Sequence, residues 1–323
     1  MATIPSTPIT PETIQWAYRL FLDREPESEQ AVAAKTKAKN TAALRAAFLH
    51  SDEFRQKNAV PFHLSGYEPG MEIEDVHSDE DLEKLFAHIQ RTWQHLGETE
   101  PHWSVLTSEE YLSGNVQLSM EKFYASGRHA VARVIKTLAR NKIDHRKFQA
   151  CLEYGCGLGR VTRWLASEFP RVLGYEISQP HLRRAKLYLD QERVSNVSLH
   201  HLERLGDIRN LPKVDLIYSI LVLQHNPPPV IKLIIAQFMR SLNQGGVALF
   251  QVPTYRLGYS FSLRKYLSTR PAQGLMELHM LPQHDIFKIA ADEGARVIEV
   301  FEDASVGSFP GISNSFLVQK QVE

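Results

Sequence analysis

From Phe148 onward the chain alternates between two kinds of run, and this alternation restricts the fold more than any other feature. ACLEY, RVLGYEI, VSLHHL, VDLIYSI, GVALFQV, ARVIEVF and NSFLVQK are short and carry β-branched and aromatic residues, which reads as strands. VTRWLASEF and QPHLRRAKLYLDQE separate the first three, PPVIKLIIAQFMRSL the fourth and fifth, and LPQHDIFKIAADEG the fifth and sixth. These longer runs have the apolar spacing of helices. The third and fourth strands are joined by a shorter stretch without an assignable pattern. Such alternation predicts an α/β fold, a mostly parallel sheet with helices on both faces. The last two strands follow one another with no helix between, which predicts a terminal antiparallel strand pair.

The sequence upstream is helical. Thr10 can cap a helix with Pro11 at its first position, and Ile14, Ala17, Tyr18 and Phe21 follow helical spacing. A second helix is expected over 28–39 and a third over 41–49, with Leu44, Ala47 and Phe48 on one face. Pro61, Gly66, Pro69 and Gly70 mark a linker. Ser78-Asp79-Glu80-Asp81 then opens a helix with an acidic first turn. Leu82, Leu85, Phe86, Ile89 and Trp93 form one face of it, and Gly97 is expected to stop it. A further helix over about 119–141 leads into the alternating region. A chain of 323 residues has room for more than one domain. The reading is a small all-α domain over 1–60, a linker and helical segment over 61–118, and the α/β domain over 119–323.

Lys+Arg and Asp+Glu balance at 37 each, so no basic excess favours a nucleic-acid partner. Two cysteines, Cys151 and Cys156, lie in one strand and its following loop. That argues against a disulfide framework or zinc site and fits a reducing cytoplasm. MATIPSTPITPETIQW has neither the basic nor the apolar region of a signal peptide, and no apolar run has the length of a bilayer span. The histidines form no metal-ligand spacing, so no metal is expected.

The chemistry is concentrated in Leu152-Glu153-Tyr154-Gly155-Cys156-Gly157-Leu158-Gly159-Arg160, which ends a strand and opens a helix. Glycines there allow a tight turn and close approach of backbone to ligand. A dinucleotide fingerprint would read G-x-G-x-x-G. Here the spacing is G-x-G-x-G, with Arg160 where the third dinucleotide glycine would stand, which disfavours an NAD-dependent oxidoreductase. E-x-G-x-G-x-G resembles motif I of class I S-adenosylmethionine (SAM) methyltransferases. The resemblance extends over about 103–320 and implies a Rossmann-like methyltransferase sheet and SAM as cofactor. It also implies that Glu153 orients the loop or contacts the methionine amine. Gly155, Cys156 and Gly157 would approach the methionine and ribose portions.

Glu176, near the end of the second strand, is placed to accept from ribose hydroxyls, unless it is a solvated strand end. Leu205-Gly206-Asp207-Ile208-Arg209-Asn210-Leu211-Pro212 resembles a G-D-x-x-x-L-P segment of small-molecule methyltransferases. There the acid, here Asp207, accepts from the adenine amine; a helix N-cap or turn role is the other reading. Phe123-Tyr124-Ala125-Ser126-Gly127-Arg128 resembles a segment that folds over the methionine end, with Tyr124 or Arg128 near its carboxylate, though either could simply belong to a helix start.

On the acceptor side, Gln224 and His225 follow the fourth strand, at the carboxyl end where ligands of open α/β sheets bind. His225 could be a general base or a packing residue, and His279 is a second candidate base. Asn226-Pro227-Pro228 starts a helix rather than matching the N-P-P-aromatic motif of amide and adenine methylases, because Pro229 replaces the aromatic. In 254–281, Tyr255, Arg256, Arg264, Lys265 and Tyr266 could bind a polar or anionic acceptor, and His284 could face the cleft. The aspartate positions of magnesium-dependent O-methyltransferases are occupied by Leu223–His225 and Gln251–Pro253.

At the N-terminus, Tyr18-Arg19-Leu20-Phe21-Leu22-Asp23-Arg24-Glu25-Pro26 and Phe48-Leu49-His50-Ser51-Asp52-Glu53-Phe54 resemble the DUF4214 family of small helical domains, with Asp23 where that family usually carries Gly. The family often accompanies cell-envelope and polysaccharide proteins, and the helical domain could bind a protein partner. The expected function is SAM-dependent O-methylation of a small polar or saccharide acceptor. N-methylation of a small molecule and a non-catalytic SAM-binding scaffold are the alternatives.

Overall fold

The computed structural model describes residues 9–322 apart from 50, 52, 55–63, 65, 270–273 and 308; Pro61, His50 and Asp52 thus lie outside the described residues. The chain divides into two compact units, Met1–His63 and Leu64–Glu323.

In the first unit, α1 (Pro11–Leu22), α2 (Glu29–Lys35) and α3 (Thr41–Leu49) follow one another. Thr13 N–H donates to Thr10 Oγ1 at 3.2 Å, and Pro11 takes the first helical position. Ile14, Tyr18, Leu22, Leu44 and Phe48 are buried together, with Phe48 edge-on to Tyr18 at 5.0 Å. The α2 helix ends at Lys35 rather than at Lys39. Asp23 closes α1 in the left-handed region, φ 47°, where glycine carries no steric cost.

The second unit is built on a seven-stranded sheet. Its strands are β2 (Ala150–Tyr154), β3 (Arg171–Glu176), β4 (Val197–His201), β5 (Val214–Ser219), β6 (Leu242–Arg256), β8 (Ala295–Glu302) and β9 (Gly311–Lys320); β1 (Glu72–Glu74) and β7 (Ser260–Ser262) pair separately. The order is β4-β3-β2-β5-β6-β9-β8. The β2, β3, β4, β5 and β6 pairings are parallel, and β9 runs antiparallel to both β6 and β8. The expected α/β class and terminal antiparallel pair are therefore present, with β9 inserted between β6 and β8.

Successive side chains of a strand point to opposite faces, and here both faces are covered. Leu152, Ala248, Phe250, Val252 and Phe316 pack with α4 (Asp79–Thr99), α9 (Pro228–Arg240) and α11 (Gln283–Asp292). Cys151, Leu216, Val247, Leu249 and Leu317 pack with α5 (Met120–Arg140) and α6 (Thr162–Leu165). The remaining helices are α7 (Gln179–Gln191), α8 (Leu205–Arg209) and α10 (Leu263–Thr269). One expectation needs correction and one gap is filled. VTRWLASEF is helical only over Thr162–Leu165, and the unassigned stretch between the third and fourth strands holds α8.

The helix expected after the linker contributes a layer of the core. Leu82, Leu85, Phe86 and Ile89 of α4 are buried against the sheet. Gly97 does not end this helix, which runs on to Thr99. A β-carbon at Gly97 would collide with Ser178 Oγ and stand 3.1 Å from His181 Nδ1. Glycine is there because α4 lies directly on the start of α7.

Candidate active site

The carboxyl ends of β2, β3 and β5 open into a cleft of about 890 Å³, solvent at its mouth included. Glu153, Gly155, Cys156, Gly157 and Glu176 line it, as do Ile89 and Trp93 of α4 and Arg160 after the third glycine.

The loop is shaped by its glycines. Gly155 and Gly157 have φ 76° and 52°, which most side chains disfavour. A β-carbon on Gly155 would also collide with Val222. Gly155 N–H donates to Tyr175 C=O at 2.8 Å, tying the loop to β3. Glu176 completes the tie: Gly157 N–H donates to its Oε2 and Ser178 N–H to its Oε1, each at 2.9 Å. Burial pushes the Glu176 carboxyl up against the opposing pull of these N–H groups. Thr162 Oγ1 donates to Glu153 Oε2 at 2.5 Å. Burial pushes the Glu153 carboxyl up to about 8. Burial also raises the Cys156 thiol, so it is a packing group rather than a nucleophile.

On the β5 side, Leu221 has φ 63°, a sparsely populated conformation that needs external support. Its N–H donates to Gln251 Oε1 at 3.0 Å, and Gln251 Nε2 donates to Ser313 Oγ at 2.7 Å. Gln251, noted in the sequence only as standing near a missing metal-binding aspartate, thus braces the wall of the cleft.

Two buried polar atoms beside the cleft have no partner, Arg160 Nε and His181 Nδ1. His181 Nε2 lies 3.1 Å from Pro101 C=O and 3.0 Å from Ser104 Oγ. Burial lowers this imidazole to about 4, so it is neutral at physiological pH. The glycine cradle, these two polar atoms and the apolar Ile177 and Leu202 fit a nucleoside joined to an amino acid. Arg160 and His181 gave no sequence signal, because nothing in their spacing shows that they face the cleft.

Several expected residues do not line it. Tyr124 stacks on Tyr188 at 3.7 Å, and Arg128 is exposed with its guanidinium 6.0 Å from the Trp164 ring. Asp207 Oδ2 accepts the Glu203 and Arg204 N–H groups, each at 2.8 Å. It therefore has the helix-start role, not a position in the cleft wall. The Gln224 side chain is buried away from the cleft, while its backbone C=O accepts from His279 N–H at 2.7 Å.

His225 and His279 belong to two further spaces. His225 lines a small void with Ile89, Trp93, Met276 and Glu277, and its Nδ1 lies 2.8 Å from Glu277 C=O. Burial lowers it to about 4. The void shares Ile89 and Trp93 with the cleft, and Met276 and Glu277 with an outer basin. His279 borders this basin with Arg256, Tyr259, Lys265 and Tyr266. Its Nε2 is 2.8 Å from Glu277 Oε2 and its Nδ1 2.9 Å from Tyr259 Oη. Glu277 Oε1 meets His88 Nε2 at 3.0 Å and accepts from Tyr266 Oη at 2.9 Å. Burial would raise the Glu277 carboxyl, but His279, with His88 and Tyr266, outweighs it and holds the group low. Glu277 and His88 were not foreseen, since they lie far apart in sequence. Arg264 and His284 are exposed and border neither space, and Tyr255 Oη donates to Pro69 C=O at 2.9 Å.

The methyltransferase domain family matches residues 123–300. The chain belongs to this family. Its second unit carries the methyltransferase domain. Trans-aconitate 2-methyltransferase of Deinococcus radiodurans is 32% identical over 133 residues, 40% of this chain and 46% of that protein. The methyltransferase thus spans less than half of that relative's length. Magnesium protoporphyrin IX methyltransferase of Synechocystis, solved with bound SAM, superposes with a TM-score of 0.51 at 15% identity. That match covers 77% of this chain and 100% of that one, a likeness of fold. The same enzyme with S-adenosylhomocysteine gives 0.45 at 18% identity, over 60% and 83% of the two chains. Among the described residues, no helix is long and apolar enough to cross a membrane.

Proposed function

We propose that this methyltransferase O-methylates a small polar acceptor held in the outer basin, with His279, oriented by Glu277, taking the hydroxyl proton. The supporting observation is the 2.8 Å His279–Glu277 pair on a basin that shares Met276 and Glu277 with the void beside His225, which in turn shares Ile89 and Trp93 with the cleft. SAM, when bound, supplies a methyl group on a sulfonium. The protein's part is to hold the acceptor oxygen in line with it, which removes much of the entropic barrier. Glu153, Gly155, Cys156, Gly157 and Glu176 would hold the cofactor. An alcohol must lose its proton during transfer, and a neutral imidazole is suited to take it. With Nε2–H given to Glu277, His279 Nδ1 is the basic atom, and it already accepts the Tyr259 hydroxyl. The acceptor proton passes through Tyr259 to His279, and the Glu277 carboxylate stabilises the resulting imidazolium. His225 lines the small void between cleft and basin in the same role as Ile89 and Trp93, since burial has left it a weak base.

Saccharides are the first acceptors to try, on the lead of the N-terminal resemblance to DUF4214. A second reading, O-methylation of a carboxylate, is favoured by Arg256 and Lys265 on the basin wall and by the trans-aconitate in the relative's name. Labelled SAM offered with sugars, carboxylic acids and amines separates the two. An alkali-stable labelled ether supports the first reading and an alkali-labile ester the second. Label only on amines or proteins would overturn both.

A further inference from the structure

We infer that Gln251 is a positioning residue for the cleft: its bond to Leu221 holds the turn after β5 in the form that presses Val222 onto the glycine loop. The inference rests on the reading that SAM binds this cleft. Ile220, Leu221 and Val222 all line it. Leu221 takes φ 63° between two β-branched residues, which favour extended backbone. Among the described residues, three other non-glycines have positive φ, Asp23, Lys142 and Arg193. Each lies just past a helix end, where left-handed residues are common. Leu221 instead follows a strand, so its conformation is imposed by what surrounds it.

Three side chains fix the turn. Ser219 Oγ donates to Tyr154 C=O at 3.0 Å and ties the end of β5 to the end of β2. Asn226 Nδ2 donates to Val222 C=O at 3.0 Å. Gln251 Oε1 accepts from the strained residue itself, Leu221 N–H. Gln251 is fully buried in β6, where a polar side chain is costly unless both ends of its amide are paired. The second end, Nε2, is given to the buried Ser313 Oγ of β9. An apolar side chain at this depth would need no such arrangement, so the amide is accounted for by what it holds. Val222 fills the space that a β-carbon on Gly155 would need. A turn relaxed to negative φ would shift Val222 off the glycine loop and change the shape of the cleft. A wall held in place beforehand spares the ligand the cost of ordering it.

The test is calorimetric titration of the full chain with S-adenosylhomocysteine, run in two backgrounds, wild type and Leu221→Gly. Folded Gln251→Met, similar in length but without the amide, is expected to bind about tenfold more weakly than the wild type, the scale of one lost hydrogen bond to a buried N–H. In the Leu221→Gly background the same substitution should cost about two- to threefold at most, because glycine takes positive φ without the bond. Gln251→Glu keeps an acceptor for Leu221 N–H and should fall between Gln251→Met and the wild type. Ser313→Ala frees the far end of the amide. It should show a smaller loss that Leu221→Gly again reduces, and it carries the test if Gln251→Met does not fold. Unchanged affinity in the folded variants, or the same loss in both backgrounds, would overturn the assignment while leaving the cofactor reading intact. A wild-type protein that does not bind S-adenosylhomocysteine would overturn that reading and this inference with it.

Discussion

Glu153 is both a ligand candidate and a thermodynamic cost to the fold. Its carboxyl is pushed up to about 8, against an ordinary value of 4.5, mainly by burial. Between those values the folded protein holds a proton that the unfolded chain has released. Stability therefore falls as pH rises through that window. Glu153→Gln, which cannot titrate, should flatten the decline between pH 6 and 8 in urea denaturation; parallel slopes for the two proteins would refute this. His279→Gln should slow transfer to a hydroxyl by about 10²- to 10⁴-fold, the usual range for a general base, while S-adenosylhomocysteine affinity holds. Single-turnover rates with an identified acceptor would check it. Glu176→Ala removes the acceptor for Gly157 N–H and should weaken cofactor binding by about 1–3 kcal/mol, read by calorimetry. The glycine loop, Glu153 and Glu176 were legible in the sequence because spacing along one strand and loop defines them. Arg160, His181 and Glu277 were not. Their roles come from which way a side chain turns and what a distant segment places opposite it.

Helix α4 shows the same limit for a larger piece of structure. Its apolar face, Leu82, Leu85, Phe86, Ile89 and Trp93, was readable from helical spacing, yet not what that face would cover. The helix roofs the sheet and carries Ile89 and Trp93 to the cleft, so it belongs to the binding unit. Gly97 was misread for a related reason. Glycine marks a helix end in local sequence, but here it marks a close crossing with the start of α7. Two effects compete in Gly97→Ala. Alanine favours a helix interior by about 1 kcal/mol, whereas overpacking costs about 1–3 kcal/mol. The collision with Ser178 Oγ favours the second, so a lowered melting temperature and weaker cofactor binding are expected. An unchanged or raised melting temperature would show that the crossing relaxes.

The two units carry separate cores. Ile14, Tyr18, Leu44 and Phe48 form one, and the clusters on the two sheet faces form the other. A chain starting at Leu64 should therefore keep S-adenosylhomocysteine affinity; loss of binding in a folded truncation would show that the first unit supports the site. The order of the sheet has a consequence for synthesis. Among the described strands, β8 pairs with β9 alone, and β9 bridges it to β6. On the ribosome, β8 emerges before the strand that gives it a place. Until β9 arrives, the flank of β6 stays open, an unpaired edge that invites wrong partners. A nascent chain stalled between β8 and β9 would thus be the one most in need of a chaperone.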